Sequence, residues 1–267
     1  MTNDQPPPSH PALTADLLAG ELQLAGRLTQ ASNATFLATL GADDGQLTCV
    51  YKPIRGERPL WDFPTGTLGL CEVAAYEVSR IGGFDVVPVT VLAEGPLGPG
   101  SLQAWVEADE LETAGLVDLV ATDRLPLPGW FDVVDGLDRT DQAVTVVHAD
   151  DELLRRLAVF DVVINNADRK GGHILGSGGR VFGVDHGLGF HTDPKLRTLL
   201  WGWAGAELNE DELVAVKRVH DDVPGQLGEL LAEVEVEALV GRAESLLTRG
   251  CFPRPRGHWP SIPWPPF

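Results

Sequence analysis

Apolar and polar positions in the first part of the chain fall into short runs. Residues 33 to 40, NATFLATL, and 47 to 54, LTCVYKPI, are apolar and β-branched and are separated by GADDGQ, a pattern that predicts a hairpin. The period then changes: in GTLGLCEVAAYEVSRIGG, Leu70, Val73, Ala74, Val78 and Ile81 recur at helical spacing and Gly82-Gly83 stops the run. FDVVPVTVL at 84 to 92 returns to a strand pattern, GPLGPG predicts a turn, and SLQAWVE predicts one more short strand. Further on, DDELLRRLAVFDVVI carries Leu153, Leu154, Leu157, Phe160 and Ile164 on one helical stripe, opened by acidic residues that suit a helix N-terminus. HILG and RVFGV read as two strands joined by Ser177-Gly178-Gly179, while NEDELVAVKRVHDDV and VEVEALVGRAESLLTRG read as amphipathic helices, the second ended by Gly250. Strand-rich sequence followed by helix-rich sequence predicts an α+β fold of two lobes, with the Gly/Pro turn near residues 95 to 100 between them.

Composition restricts what such a fold can do. The 267 residues carry 39 acidic against 20 basic side chains, a net charge of -19. Nucleic acids and anionic membranes are bound through clusters of Lys and Arg, so this balance argues against both as partners. No apolar run approaches the roughly 20 residues of a membrane span. The start, MTNDQPPPSHP, lacks a basic segment followed by an apolar one, and a cytoplasmic protein is expected. Cys49, Cys71 and Cys251 are far apart and form no Cys-x-x-Cys pair, which indicates neither a zinc site nor a disulfide framework.

The chemistry concentrates in residues 165 to 187, NNADRKGGHILGSGGRVFGVDHG. Asp168 sits in a polar loop after a helix, and Asp185 follows the hairpin 17 residues later. The hairpin folds the chain back, so both carboxylates can reach the same end of it. Paired carboxylates so placed suit metal-assisted phosphoryl transfer, one orienting or deprotonating the attacking group while the other holds Mg²⁺ on the phosphates.

On these motifs the chain resembles small, protein-kinase-like phosphotransferases of the phosphatidylinositol 3- and 4-kinase superfamily, close to an actinobacterial group and related to the HipA-type kinases. The resemblance covers roughly residues 23 to 205. It implies a bilobal kinase-like fold, with a β-rich N-lobe over 13–102 and a reduced helical C-lobe over 103–250, between a leader at 1–12 and a Pro/Trp-rich tail at 251–267 expected to lie extended over its own domain. Asp168-Arg169 matches the catalytic-loop dipeptide whose aspartate is the base, and Asp185-His186-Gly187 matches the later motif whose aspartate holds the catalytic metal. Lys170 stands where protein kinases place a phosphate-contacting lysine. Five positions after Asp168 the families have a metal-binding Asn and this chain has His173, which either takes that role or opens the following strand as a structural residue; imidazole suits Mg²⁺ less well than oxygen. Lys52, ending TCVYK, corresponds to the lysine on the α- and β-phosphates, and Glu72 to its ion-pair partner, with Glu77 as the alternative. GRLTQASNATF occupies the place of the phosphate-covering loop without a G-x-G-x-x-G pattern, so Ser32, Asn33 and Ala34 would contact phosphate through hydroxyl, amide and backbone N–H groups. Gln103, Trp105 and Val106 would belong to the link against which adenine pairs.

The function so implied is ATP-dependent phosphoryl transfer with Mg²⁺ or Mn²⁺ to a protein Ser/Thr, to the chain itself or to a soluble small molecule. The alternatives are a nucleotide-binding pseudokinase or scaffold, an inositol-lipid kinase, and an AMP transferase on the same fold. Acidity and Lys170 weigh against a lipid acceptor, although Lys195, Arg197, Lys217 and Arg218 could form a local basic patch. The remaining features read as structural. FDVVDGLDRTDQ places Asp132, Asp135, Asp138 and Asp141 every third residue, unlike a calcium-binding EF-hand loop, and is read as a solvated turn. GSGG has no helix after it and is no dinucleotide fingerprint. His148, His191 and His220 have no evident partners, and Trp201 and Trp203 are assigned to packing.

Overall fold

The computed structural model describes residues 10–28, 33–41, 46–58, 68–255 and 260–267. A helix α1 (His10–Ala19) starts inside the stretch expected to be a leader. Strands β1 (Leu22–Arg27), β2 (Phe36–Leu40), β3 (Leu47–Pro53), β4 (Thr90–Gly95) and β5 (Gly98–Ala104) form an antiparallel sheet in the order β1-β2-β3-β5-β4, with helix α2 (Leu68–Gly82) inserted between β3 and β4. After a short helix α3 (Glu110–Ala114), strands β6 (Val117–Ala121), β7 (Trp130–Leu137) and β8 (Ala143–Ala149) make a second antiparallel sheet, β6-β8-β7. Helix α4 (Glu152–Ile164), the hairpin β9 (Ile174–Ser177) and β10 (Arg180–Gly183), and helices α5 (Glu210–Asp222) and α6 (Glu233–Arg249) complete the chain. The fold is therefore α+β, sheet-rich at first and helical at the end.

Local chemistry explains the elements that matter for the site. In β3 the side chains alternate, so Cys49, Tyr51 and Pro53 are buried and Lys52 points to the other face. Helix α2 is buried on most of its circumference, between the sheet and α5, and the Glu57 carboxylate accepts from the Gly69 N–H (2.7 Å) at its first turn. Gly83, at φ 75°, turns the chain out of the helix. Helix α4 opens at Asp151, whose carboxylate accepts from the N–H groups of Leu153 and Leu154, and closes at Asn165 in the left-handed region (φ 56°). Leu154, Leu157, Phe160 and Ile164 of its predicted stripe are buried, while Arg155 reaches Glu212 of α5 at 2.7 Å.

Three expectations fail. FDVVPVTVL is strand only from Thr90: residues 84–89 form a buried link in which Asp85 has φ 51° and the N–H groups of Val86 and Val87 donate to the Ser79 hydroxyl (3.0 and 3.3 Å). The Gly/Pro turn is the β4–β5 hairpin, where Gly95 pairs with Gly98, so it does not divide two lobes. FDVVDGLDRTDQ is mostly strand β7; only its end is a turn, where Asp138 accepts from the N–H groups of Thr140 and Gln142. Its alternation is broken by a register shift between Asp132 and Val134, which hides the strand from a period-two reading.

The C-terminal residues run across their own domain. The Ser261 carbonyl accepts from the Thr198 N–H (3.0 Å) and from the Trp201 indole (2.8 Å), and the Pro266 carbonyl accepts from the Gly171 N–H (2.8 Å). Among the described residues no helix is long and apolar enough to cross a membrane.

Candidate active site

Three residues far apart in sequence meet at the face of the first sheet. Lys52 Nζ donates to Glu72 Oε1 from α2 and, at 2.8 Å, to Asp185 Oδ1 from the loop after β10. Glu77, the alternative partner, pairs instead with Arg80 one helical turn on, at 2.6 Å. Glu72 also accepts from the His186 N–H (2.9 Å), so α2 holds the lysine with one carboxylate oxygen and the Asp185 loop with the other. Burial opposes the charge on Lys52, yet the Asp185 and Glu72 carboxylates carry its pKa above the usual lysine value. Lys52 in turn holds the Asp185 carboxyl far below the usual carboxylate range, while burial raises that of Glu72 against the lysine's pull. Asp185 itself adopts φ 59°, a left-handed conformation that Asp tolerates better than most residues and that places its carboxylate half-exposed at the mouth of the site.

Asp168 arrives from the other side. Its loop leaves α4 through Asn165 and Asn166; Asn166 accepts from the Asp168 N–H (3.0 Å) and donates to the buried Asp161 carboxylate (2.9 Å). Arg169, with no solvent exposure, clamps the loop from behind: its guanidinium meets Asp161 at 2.9 Å, the carbonyls of His173 (3.0 Å) and Val184 (2.9 Å), and His186 Nε2 (2.7 Å). Gly183 is required here, because a Cβ at that position would fall 2.8 Å from both Arg169 and Leu157. With its neighbour anchored, Asp168 keeps its carboxylate partly exposed and 3.1 Å from Lys170 Nζ.

His173 lies between the two aspartates. Its Nδ1 is 2.9 Å from the Asp168 carbonyl, which can only accept, so Nδ1 carries the proton. Burial lowers the pKa of the ring, despite Asp185, leaving it neutral. The unprotonated Nε2 therefore faces Asp185 Oδ2 at 3.4 Å, two acceptors pointing into one space. A cation satisfies such a pair, and a metal-binding histidine typically donates its other N–H to a carbonyl in this way. Among the described residues no three His, Cys, Asp or Glu side chains form a metal cage. That donor set fits Mg²⁺ or Mn²⁺ held jointly with phosphate, since Mg²⁺ takes one or two protein ligands and completes its shell with phosphate and water.

The other residues singled out from sequence fall as follows. Ser32 lies outside the described residues. The Asn33 carboxamide accepts from the Arg58 N–H (3.1 Å), and the Ala34 N–H points to the Gly56 carbonyl at 3.5 Å, so both groups are used within the chain. Gln103 belongs to β5, and its amide donates to Thr90 (2.8 Å) in a buried contact. The Trp105 N–H donates to the Thr48 carbonyl (3.1 Å), which leaves Val106, with no backbone hydrogen bond among the described residues, as the open position of the link. The basic patch does not form, because Lys195 is buried and Lys217 pairs with Asp221 on its own helix. His148 is fully buried between two backbone partners, the Ala149 carbonyl and the Gly202 N–H, both at 2.9 Å.

Sequence reasoning missed Asp161, Arg169 as an anchor, and His186. The one signal available was Asp161 itself: an acid beside Phe160 on an otherwise apolar helix face must be paired if it is buried.

No protein-family model matches the chain. Protein Rv2133c of Mycobacterium tuberculosis is 51% identical over 267 aligned positions, covering 95% of each chain. Among solved structures, that of the Helicobacter pylori proinflammatory kinase CtkA aligns with 88% of this chain and 94% of its own at 13% identity, with a TM-score of 0.42.

Proposed function

We infer that this chain, which belongs to the family of Protein Rv2133c of Mycobacterium tuberculosis, is a divalent-metal-dependent phosphotransferase that uses ATP. The observation that carries this reading is the single lysine amine bound at once by Glu72 from helix α2 and Asp185 from the loop after the hairpin. A lysine braced by a helix glutamate, next to an aspartate at a metal position, is the arrangement that kinases use to hold nucleotide phosphates.

In this reading Lys52 turns its amine from Asp185 to the α- and β-phosphates while Glu72 keeps it in place. Asp185 Oδ2 and His173 Nε2 would hold the metal, which would offset the negative charge of the phosphates. The Val106 backbone offers its free N–H and carbonyl to the adenine edge. Asp168 accepts the proton of the acceptor hydroxyl as its oxygen forms a bond to the γ-phosphorus and the bond to the β-phosphate oxygen breaks, releasing ADP. Lys170, beside Asp168, contacts the transferred phosphoryl group. The acceptor is a Ser or Thr hydroxyl of a protein, this chain included.

The test is incubation of purified protein with labelled ATP and Mg²⁺ or Mn²⁺, alone, with cell lysate and with inositol-lipid vesicles. Label on protein supports the reading, and label confined to lipid replaces the acceptor. Intact mass separates a gained phosphate from a gained AMP. A folded protein showing neither transfer nor an ATP-dependent rise in melting temperature refutes it. His173 at the usual Asn position favours one second reading, a pseudokinase, for which nucleotide would bind without turnover.

A further inference from the structure

We propose that a cavity behind the Asp168 loop, between α4, α6 and the segment 194–205, binds a small amphiphilic anion, a phosphate or carboxylate head on an apolar body. The cavity has a volume of about 570 Å³, within the range of small-molecule sites. Among the described residues three guanidinium groups line it, Arg242, Arg249 and Arg254, and no Asp or Glu does. In a chain with 39 acids and 20 bases, that is a local inversion of charge.

The arginines are placed and are not neutralised by neighbours. Arg242 and Arg249 stand seven residues apart, two turns on one face of α6. Arg242 donates through Nε to the Val163 carbonyl (2.9 Å) and through Nη1 to the His191 carbonyl (3.1 Å), while its Nη2 is buried with no partner. These two bonds hold the guanidinium at the cavity wall, where its charge favours an anion in the apolar surroundings. Burial brings the Arg242 pKa down to about 10, so the group keeps its charge at neutral pH. The Arg254 guanidinium lies against Gly205, whose φ of 82° and missing Cβ make room for it; a Cβ there would fall 2.4 Å from its Nη2. Among the described residues neither Arg249 nor Arg254 pairs with a carboxylate.

The rest of the lining is apolar, with Val162, Leu196, Leu246 and Phe252 suited to a hydrocarbon or aromatic body. Asn165 also lines the cavity, three residues before Asp168, and its carboxamide holds the carbonyls of His191 (2.8 Å) and Asp193 (2.7 Å). The occupant would thus touch the residue from which the Asp168 loop springs.

The test is calorimetric titration and thermal shift of the full chain with octyl phosphate below its micelle concentration, with inorganic phosphate and octanol as the head and body alone. Saturable binding of octyl phosphate is expected, weakened about tenfold or more in Arg242→Gln, with much weaker binding of either part. Arg249→Ala/Arg254→Ala provides the same test should Arg242→Gln fail to fold. Absence of saturable binding, or equal binding in the variants, overturns the proposal, and inorganic phosphate binding as well as octyl phosphate overturns its apolar part. Lys52→Met separates this site from the nucleotide site, since it should leave octyl phosphate binding unchanged.

Discussion

Arg169 Nη2 lies 2.7 Å from His186 Nε2. A guanidinium can only donate, so Nε2 accepts and the ring proton sits on Nδ1, which faces Glu72 Oε2 at 4.0 Å. Burial, reinforced by the charge of Arg169, holds the imidazole neutral, far below its usual pKa. This contact joins the loop carrying Asp168 to the loop carrying Asp185, and through Glu72 it reaches Lys52. The separation of Asp168 and Asp185 is thus set by a buried polar network behind them.

Asp161→Ala should therefore be far more damaging than a typical surface change. It leaves the Arg169 guanidinium buried without its counter-ion, and breaking such a pair costs roughly 3–5 kcal/mol. Urea unfolding measures the loss. The double variant Asp161→Leu/Arg169→Met should recover much of that stability, because an apolar pair replaces an ionic one, yet it should remain inactive with the Asp168 loop no longer held. Full activity in the double variant would show that the network does not position the aspartates.

The site variants separate binding from chemistry. Lys52→Met and Asp185→Asn should each abolish metal-dependent ATP binding, read by calorimetry. Asp168→Ala should leave binding nearly intact and lower phosphoryl transfer by roughly 10²–10⁴-fold, the usual contribution of a positioned general base. Loss of ATP binding in Asp168→Ala, with the fold retained, would move that residue from chemistry to nucleotide positioning.

Much of this was legible in the residues. The helix stops at Gly83 and Gly250 and the acidic start of α4 follow from local chemistry, the set Lys52, Glu72, Asp168 and Asp185 was implied by the resemblance to kinases, and the structure brings Lys52, Glu72 and Asp185 into contact. What stayed hidden depends on distant partners. Strand β7 was lost because a bulge breaks its period, and Arg169 reads as part of a motif until Asp161 and His186 are seen on either side of it. The hydrogen-bonded ends of the link, at Gln103 and Trp105, likewise depend on Thr90 and Thr48 from neighbouring strands.

Replacing His173 by Asn should change the metal preference more than the rate. The imidazole Nε2 is a softer donor than an amide oxygen, which favours Mn²⁺ over Mg²⁺ relative to an oxygen ligand. The ratio of activity with Mn²⁺ to activity with Mg²⁺ should fall in His173→Asn. An unchanged ratio would assign His173 to the structural role of opening β9.

Acid should destabilise the protein well before its carboxylates are protonated, and His148 is the group that shows it most cleanly. Burial pushes its pKa down to about 4, and both ring nitrogens are engaged by backbone groups, Nδ1 donating to Ala149 and Nε2 accepting from Gly202, with Phe131 and Trp203 against the ring. Between about pH 6.5, where an unfolded-chain histidine titrates, and about pH 4, the unfolded state binds a proton that the folded state refuses. Stability from this group is therefore complete above that window and is lost as pH falls through it, by about 3 kcal/mol at most. His173 and His186, whose pKa values are also lowered, act in the same direction. His148→Gln supplies a donor and an acceptor without titrating. Its unfolding free energy, measured by urea at about pH 7.5 and about pH 4.5, should change less with pH than that of the unmodified protein. Identical pH slopes in the two proteins would mean that His148 gains its proton without unfolding and that the acid sensitivity arises elsewhere.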